Sequence, residues 1–340
     1  MDRRLLIILA LCALSSGVPA AGATPKRSWA EPQIETVVGR GVMGPSVAGF
    51  RPDDPLTRAD AVALVSALTS APPAPVALPS ASVTMAGLDS RLVNALGLQL
   101  SARSFTFAAR AAGLRPPGRF GSEVVARLLG LRTNHPAAQD ALELRPSDPA
   151  TRAEAAFSAA RILGFTGLER ANIETEASEF VLPPLTTWQR SVLTTAVSFI
   201  GYPYVWGGTS ERTETPAGVQ ARGGFDCSGF VWRVYKLQAY PGGEVLAGVL
   251  RGRTTYQMSG EVPRSLRIPF AKLAPADVIF FGARGPRSKT AEVDHMGIYL
   301  GDGWFIHSSR YGVALAQLSG WYRTHFAWAR RPLAEAGLGS

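Results

Sequence analysis

Hydrophobic positions change their spacing near residue 183 of this chain. Before that point, apolar residues recur every three or four positions, which predicts helices. After a helix-like stretch over residues 187–200, they come in short runs bounded by glycine, proline and charged residues, which predicts strands. The predicted strands cover residues 278–281, 295–300, 303–308 and 326–330. This order predicts an α+β domain with helices packed on an antiparallel sheet, preceded by an all-helical domain.

An internal repeat marks the helical part. Residues 50–61 recur at residues 144–155, with eight of the twelve positions identical. Thr57 and Thr151 are predicted helix N-caps, because an acidic residue three positions after each one completes a capping box. Residues 88–131 also look helical, with another helix start at 120–123. Whether this middle part completes a further, degenerate unit is left open.

The repeated string Arg-Pro-x-Asp-Pro-x-Thr-Arg-Ala resembles the S-layer homology repeat. The resemblance implies a short helical unit of the kind that commonly anchors exported proteins to wall polysaccharide. Residues 24–182 are therefore predicted to be an S-layer-homology-like domain that binds an anionic wall polysaccharide. A plain helical spacer, and a lid or regulator of the C-terminal half, remain alternatives.

The N-terminus has the pattern of a secretory signal peptide over residues 1–23. Two arginines precede an apolar run over residues 5–14, and Ala-Gly-Ala at 21–23 supplies a cleavage site. The apolar run is too short to span a bilayer, and no later segment is long and apolar enough. The sequence therefore predicts a secreted, cell-wall-associated protein without a membrane span.

The composition adds a basic charge, since 35 Lys and Arg residues against 26 Asp and Glu residues give a formal net charge of +9. A basic exported protein favours an anionic partner such as a wall polymer or a membrane surface. The arginines are scattered singly, without a dense basic run interleaved with aromatic residues, which argues against a nucleic-acid partner.

Cys227 is the single cysteine of the predicted mature chain, because Cys12 lies in the predicted signal peptide. It is an inert buried residue, half of an intermolecular bridge or a reactive thiol. A helix is predicted to start at Cys227, and a helix N-terminus lowers the pKa of a thiol. His295 and His307 follow in strand-like segments. A cysteine and a histidine are the two residue types that form a Cys–His nucleophile pair.

Four segments of the C-terminal half, taken in order, resemble the NlpC family of papain-like cysteine peptidases, which cleave peptides of bacterial peptidoglycan. They are residues 202–208 (Tyr-Pro-Tyr-Val-Trp-Gly-Gly), 225–231 (Phe-Asp-Cys-Ser-Gly-Phe-Val), 273–281 and 295–301. The resemblance covers about residues 190–331. It implies a papain-like peptidase domain over residues 185–332, followed by a tail at 333–340.

The resemblance also implies the role of each site residue. Cys227 is the nucleophile, His295 the general base and then acid, and His307 the residue that orients His295. The substrate-binding residues are Tyr204, whose hydroxyl assists the oxyanion donor at the Cys227 N–H, and Asp226 and Ser228, which flank the substrate.

Other residues receive weaker predictions. Trp206 is predicted to be a packing residue, and His135 and His325 to be surface or structural residues. Residues 209–224 form a longer link than the family usually has, and are predicted to be a loop beside the cleft that narrows substrate choice.

The resemblance implies an exported cell-wall hydrolase that cuts stem peptides of peptidoglycan, with no metal or organic cofactor. The expected bond joins D-glutamate to diaminopimelate. Alternatives are the muramoyl–L-alanine bond, a stem cross-link, acyl transfer by the same nucleophile, and a wall-binding structural module with an inactive peptidase domain.

Overall fold

The computed structural model describes residues 28–134, 143–218 and 220–338. The predicted signal peptide, His135 and the last two residues of the predicted tail lie outside the described residues. Among the described residues, no helix combines the length and the apolar character that a membrane crossing needs.

The first half of the chain is helical, as predicted. Its helices are α1 (Glu31–Gly39), α2 (Arg58–Thr69), α3 (Met85–Ala95), α4 (Gln99–Ala111), α5 (Phe120–Leu128), α6 (Arg152–Leu163) and α7 (Leu168–Glu179).

The second half combines helices with an antiparallel sheet, which confirms the predicted α+β class. Its helices are α8 (Thr187–Ser198), α9 (Cys227–Trp232), α10 (Thr255–Gly260), α11 (Gly320–His325) and α12 (Pro332–Glu335). Its strands are β1 (Thr209–Ser210), β2 (Gly224–Phe225), β3 (Val278–Gly282), β4 (Val293–Gly301), β5 (Trp304–Ser309), β6 (Gly312–Gln317) and β7 (Phe326–Arg330).

Strands β3 to β7 form one sheet in the order β6-β5-β4-β3-β7, and every pair is antiparallel. The four predicted strands are confirmed. Strand β6 is missing from the prediction, because its sequence Gly-Val-Ala-Leu-Ala-Gln contains glycine and alanine, which are poor strand formers. Pairing with β5, rather than local propensity, makes this segment a strand.

Both predicted N-caps are confirmed. The side chain of Thr57 accepts a hydrogen bond from the N–H of Asp60 at 3.1 Å. That of Thr151 accepts one from the N–H of Glu154 at 3.3 Å. Thr84 caps α3 in the same way. These caps satisfy N–H groups that the first turn of a helix leaves without a partner.

The three loops before these caps form a closed ring of backbone hydrogen bonds. Leu56 N–H donates to the carbonyl of Ala150 at 2.7 Å, Ala150 N–H to that of Val83 at 2.8 Å, and Val83 N–H to that of Leu56 at 2.9 Å. The helical half therefore contains a third repeat unit, whose loop lies at residues 79–84. This loop has lost the arginine and aspartate of the repeat but keeps a proline five positions before its threonine. The start predicted at 120–123 begins α5 and is not part of the ring.

The two halves of the chain share one core. The ring of Trp304, on β5, packs 5.9 Å from that of Phe105, on α4, and 5.1 Å from that of Phe180. A continuous cluster of buried apolar side chains extends from the helical half into the sheet. Residues 180–186 lie between α7 and α8, where the boundary between the two domains is predicted, but they do not separate two cores.

Because the core is shared, truncation of Phe105 is expected to destabilise the whole chain. We expect Phe105→Ala to lower the free energy of unfolding by about 3–5 kcal/mol, since a buried aromatic side chain leaves a cavity. Phe107→Ala is the matched control, because Phe107 lies on the same helix and is 75% exposed. Denaturant unfolding followed by both fluorescence and circular dichroism measures the difference.

One cooperative transition in both signals is expected. Two separate transitions, or equal costs for Phe105→Ala and Phe107→Ala, would contradict a shared core.

Candidate active site

Cys227 is the first residue of α9, as the sequence predicts, and the carboxylate of Asp226 fixes this helix start. One oxygen of Asp226 accepts hydrogen bonds from the N–H of Gly229 and from the hydroxyl of Ser228, the latter at 3.0 Å. The other accepts one from the N–H of Gly207 at 2.9 Å. A single carboxylate thus caps the helix and joins it to the loop that contains the Trp-Gly-Gly segment.

The thiol of Cys227 lies between α9, α10 and β4. Its Sγ is 3.4 Å from the hydroxyl of Thr255, and the nearby backbone N–H groups of Ser228 and Met296 act to lower its pKa. Burial raises the pKa of Cys227 to about 11, and the Asp226 carboxylate acts in the same direction. The predicted lowering of this pKa is therefore wrong, because loss of solvent outweighs the effect of the helix end.

His295 and His307 lie on β4 and β5, the two strands of one hairpin, as predicted. Nε2 of His295 is 2.7 Å from Nδ1 of His307. The strand register places Ile298 opposite Ile306, so His307 stands opposite Gly297. A Cβ atom at Gly297 would lie 3.0 Å from that of His307 and 2.8 Å from the Phe305 ring. Glycine at this position therefore lets the His295 ring reach diagonally across the strands.

Aromatic side chains enclose the histidine pair. Phe281 stacks on His295 with ring centroids 5.7 Å apart, and Tyr322 meets His307 edge-on at 5.4 Å. His307 is only 2% exposed. Burial lowers the pKa of His295 to about 4 and that of His307 well below its usual range. Both rings are consequently neutral at pH 7, and one of the two facing nitrogens must carry the shared proton.

Arg253 completes the surroundings of Asp226, and sequence reasoning missed it. Its guanidinium donates to the carboxylate of Asp226 at 3.2 Å, to the hydroxyl of Ser228 at 2.8 Å and to the carbonyl of Gly207 at 2.9 Å. A buried carboxylate needs such a partner. The sequence signal was the acidic residue inside an apolar segment, but nothing near it in the chain identifies which arginine is the partner.

Tyr204 comes close to the helix start through its backbone. On either side of it, the Pro203 carbonyl accepts from Phe225 N–H at 3.1 Å, and Val205 N–H donates to the Phe225 carbonyl at 3.2 Å. Phe225 is two residues before the candidate nucleophile. Trp206 is 69% exposed, so its prediction as a packing residue is wrong.

Asp226 and Ser228 are both buried and bonded to protein groups. Their predicted contact with substrate, and the predicted assistance by the Tyr204 hydroxyl, stay predictions. His325 stacks on Trp321 at 4.2 Å and its Nδ1 is 2.9 Å from the Trp321 carbonyl, in agreement with a structural role.

The long link between the Trp-Gly-Gly segment and the helix start is organised around Glu214. Its carboxylate accepts hydrogen bonds from the N–H groups of Thr209, at 2.7 Å, and Ser210, at 3.1 Å. Its backbone pairs with that of Ala221. The described residues of the link therefore form a hairpin that begins in β1 and ends in β2.

Comparison with known proteins matches family models to both parts of this chain. The model of the NlpC/P60 family matches residues 201–331, and that of the S-layer homology domain matches residues 24–62. Murein DD-endopeptidase MepH of Escherichia coli is 34% identical over 142 residues, which are 41% of this chain and 44% of the relative. Bifunctional muramidase/DL-endopeptidase CwlT of Bacillus subtilis is 30% identical over 137 residues, 40% of this chain and 34% of the relative.

Among solved structures, an NlpC/P60 family protein from Bacillus cereus is 28% identical to this chain. The match covers 46% of this chain and 43% of the other, with a TM-score of 0.33. The chain spans less than half the length of the two curated relatives. An S-layer homology domain indicates association with the cell surface. The chain thus contains an S-layer homology region followed by an NlpC/P60 domain, the family whose peptidoglycan endopeptidases are cysteine peptidases.

Proposed function

We propose that this protein is a secreted cell-wall hydrolase that cleaves an amide bond in the stem peptides of peptidoglycan. The observation that carries the proposal is the hydrogen-bonded pair of His295 and His307 on a hairpin that runs beside Cys227, inside the segment matched by the NlpC/P60 family. Its relatives are named as peptidoglycan-cleaving endopeptidases, which supports the substrate class.

Cys227 is the nucleophile in this proposal. Because its thiol carries a proton before the reaction, the first step must include loss of that proton. The thiol loses its proton to His295 as sulfur attacks the amide carbonyl, and His295 returns the proton to the leaving amine. Water then hydrolyses the thioester: His295 accepts a proton from the attacking water, the C–S bond breaks, and His295 returns the proton to the sulfur of Cys227. The N–H of Cys227 is the proposed donor to the oxyanion, with the Tyr204 hydroxyl assisting.

His307 fixes the tautomer of His295. If Nε2–H of His295 donates to Nδ1 of His307, then Nδ1 of His295 is unprotonated and available to accept the thiol proton. No metal or organic cofactor takes part in these steps.

The bond between D-glutamate and diaminopimelate is the proposed point of cleavage. The relatives include both a DD- and a DL-endopeptidase, so other stem bonds are outcomes of the test. The S-layer homology region is proposed to bind an anionic wall polysaccharide, which the net charge of +9 favours.

The proposal predicts that the chain from residue 24 onward releases fragments from purified peptidoglycan, and that Cys227→Ala releases none. Mass spectrometry of the new termini identifies the bond. Cys227→Ser is a second control, because it keeps the size of the side chain and loses the more nucleophilic sulfur. A folded wild-type chain that releases no fragments would overturn the hydrolase proposal and favour a wall-binding module.

The orienting role of His307 predicts a difference between two substitutions. His307→Asn keeps a polar atom near the position of Nδ1 and is expected to retain most of the kcat. His307→Leu removes the partner of His295 and is expected to lower kcat by about 10²–10⁴-fold. Steady-state kinetics on a soluble peptidoglycan fragment, with thermal unfolding as the folding control, measures both. Equal kcat values for the two variants would contradict the orienting role.

The raised pKa of Cys227 and the lowered pKa of His295 predict a neutral pair in the resting site. Alkylation by iodoacetamide requires the thiolate, so its rate is expected to rise about tenfold per pH unit from pH 7 towards the thiol pKa of about 11. Labelling of Cys227→Ala measures the background. A rate that is already at its plateau below pH 7 would instead show a thiolate–imidazolium ion pair.

A further inference from the structure

Arginine side chains of the helical half cap the C-terminal end of α8, which belongs to the other half. Arg119 donates to the carbonyl of Ser198 at 2.7 Å and to that of Ile200 at 3.2 Å. Arg127 donates to the carbonyl of Gly201 at 2.6 Å. The last carbonyls of a helix have no partner within it, and positive charge is favoured there.

Arg127 also contacts the turn that follows β5. Its guanidinium donates to the carbonyl of Tyr311, between β5 and β6. The two segments that it touches are themselves paired, because Gly201 N–H donates to the carbonyl of Val313 at 2.9 Å and Val313 N–H to that of Tyr202 at 2.8 Å. One guanidinium therefore joins the end of α8 to the end of the histidine hairpin.

Both of these segments lead to the reacting groups. From Gly201 the chain enters residues 203–205, whose backbone pairs with Phe225 just before Cys227. From Tyr311 the chain leads back to His307, which lies four residues earlier, on β5. The next residue, Ser308, donates its hydroxyl proton to the carbonyl of Phe225 at 2.6 Å. Arg127 therefore contacts two backbone segments. One leads to the sulfur of Cys227, and the other leads to the imidazole rings of His295 and His307.

The space around Arg127 is closely fitted. Its side chain is fully buried and forms an ion pair with Glu143 at 3.1 Å. At Gly312, where φ is +68°, a Cβ atom would lie 2.7 Å from Nη1 of Arg127. A lysine at position 127 keeps the charge beside Glu143, but its single nitrogen cannot reproduce the fork that meets two carbonyls.

We propose that Arg127, together with Arg119, is a positioning residue for the Cys227 and His295 pair, so that the helical half contributes to the geometry of the peptidase site. This inference rests on the proposed function. It assigns the helical half a role in catalytic geometry, in addition to any binding to the wall. Loss of the fork displaces the imidazole pair relative to the sulfur, which lowers the rate of the chemical step more than it lowers substrate binding.

The test compares Arg127→Lys with Arg152→Lys in the full chain. Arg152 is the matched control, because it is also largely buried, pairs with the carboxylate of Asp60 at 3.1 Å and donates to the carbonyl of Phe50 at 2.8 Å. These contacts all lie within the helical half. Thermal unfolding, kcat and KM on a soluble peptidoglycan fragment, and the iodoacetamide rate at Cys227 are measured for each variant.

Arg127→Lys is expected to lower kcat by about 10- to 100-fold with a much smaller change in KM, and to change the alkylation rate. Arg152→Lys is expected to leave kcat and the alkylation rate at their wild-type values. If Arg127→Lys does not fold, Arg119→Met replaces it. Arg119 is only half-buried and does not contact the turn after β5, so this variant is expected to lower kcat by less, with the alkylation rate changed in the same direction.

A wild-type kcat in folded Arg127→Lys would overturn the proposal. So would equal losses of kcat in Arg127→Lys and Arg152→Lys that follow their loss of thermal stability. The alkylation rate needs no substrate. A wild-type chain without hydrolytic activity would therefore refute the proposed function, while the alkylation rates still decide whether Arg127 positions Cys227.

Discussion

Hydrogen bonds from arginines of the helical half to buried backbone carbonyls allow the two halves of this chain to share one core. The end of α8 and the turn after β5 place carbonyl groups where solvent is excluded, and an unpaired buried carbonyl is costly. Arg119, Arg127 and Arg132 of the helical half supply the donors. Their charge is in turn opposed by buried carboxylates such as Glu123 and Glu143. Without this polar layer, the apolar packing of Phe105 and Phe180 against Trp304 would bury unpaired groups beside it.

The same exclusion of solvent defines the chemistry of the candidate site. A thiol at a helix N-terminus and two imidazoles are each capable of carrying charge at neutral pH, yet burial disfavours the charged form of all three. The thiol and both imidazoles are therefore neutral at pH 7. In the proposed mechanism, charge develops only when the thiol transfers its proton to His295.

The helical half is built around three repeat units that close on each other within a single chain. The ring of hydrogen bonds among Leu56, Val83 and Ala150 needs all three loops, although one of them has lost most of the repeat sequence. The ring includes the loop before α3, and α3 packs against α5, which in turn packs against β6. A segment that resembles a wall anchor by its sequence is thus also a structural support of the NlpC/P60 domain.

The sequence by itself determined the structural features that depend only on residues close together in the chain. Capping by Thr57 and Thr151, the helix that begins at Cys227 and the hairpin with His295 and His307 all follow from short-range rules of spacing and side-chain type. The motif residues around Cys227 also predicted the NlpC/P60 domain that the family model matches over residues 201–331. Only the tertiary structure decided which distant groups meet. Examples are the contact between Arg127 and Tyr311, 184 positions apart, and that between Arg253 and Asp226.

The tertiary structure also decided that a third repeat unit is present and that the pKa of Cys227 is raised. The physical reason is common to these cases. Hydrogen-bond partners of buried groups, and the loss of solvent that shifts a pKa, are set by packing between segments far apart in the chain, and no local pattern of residues specifies that packing.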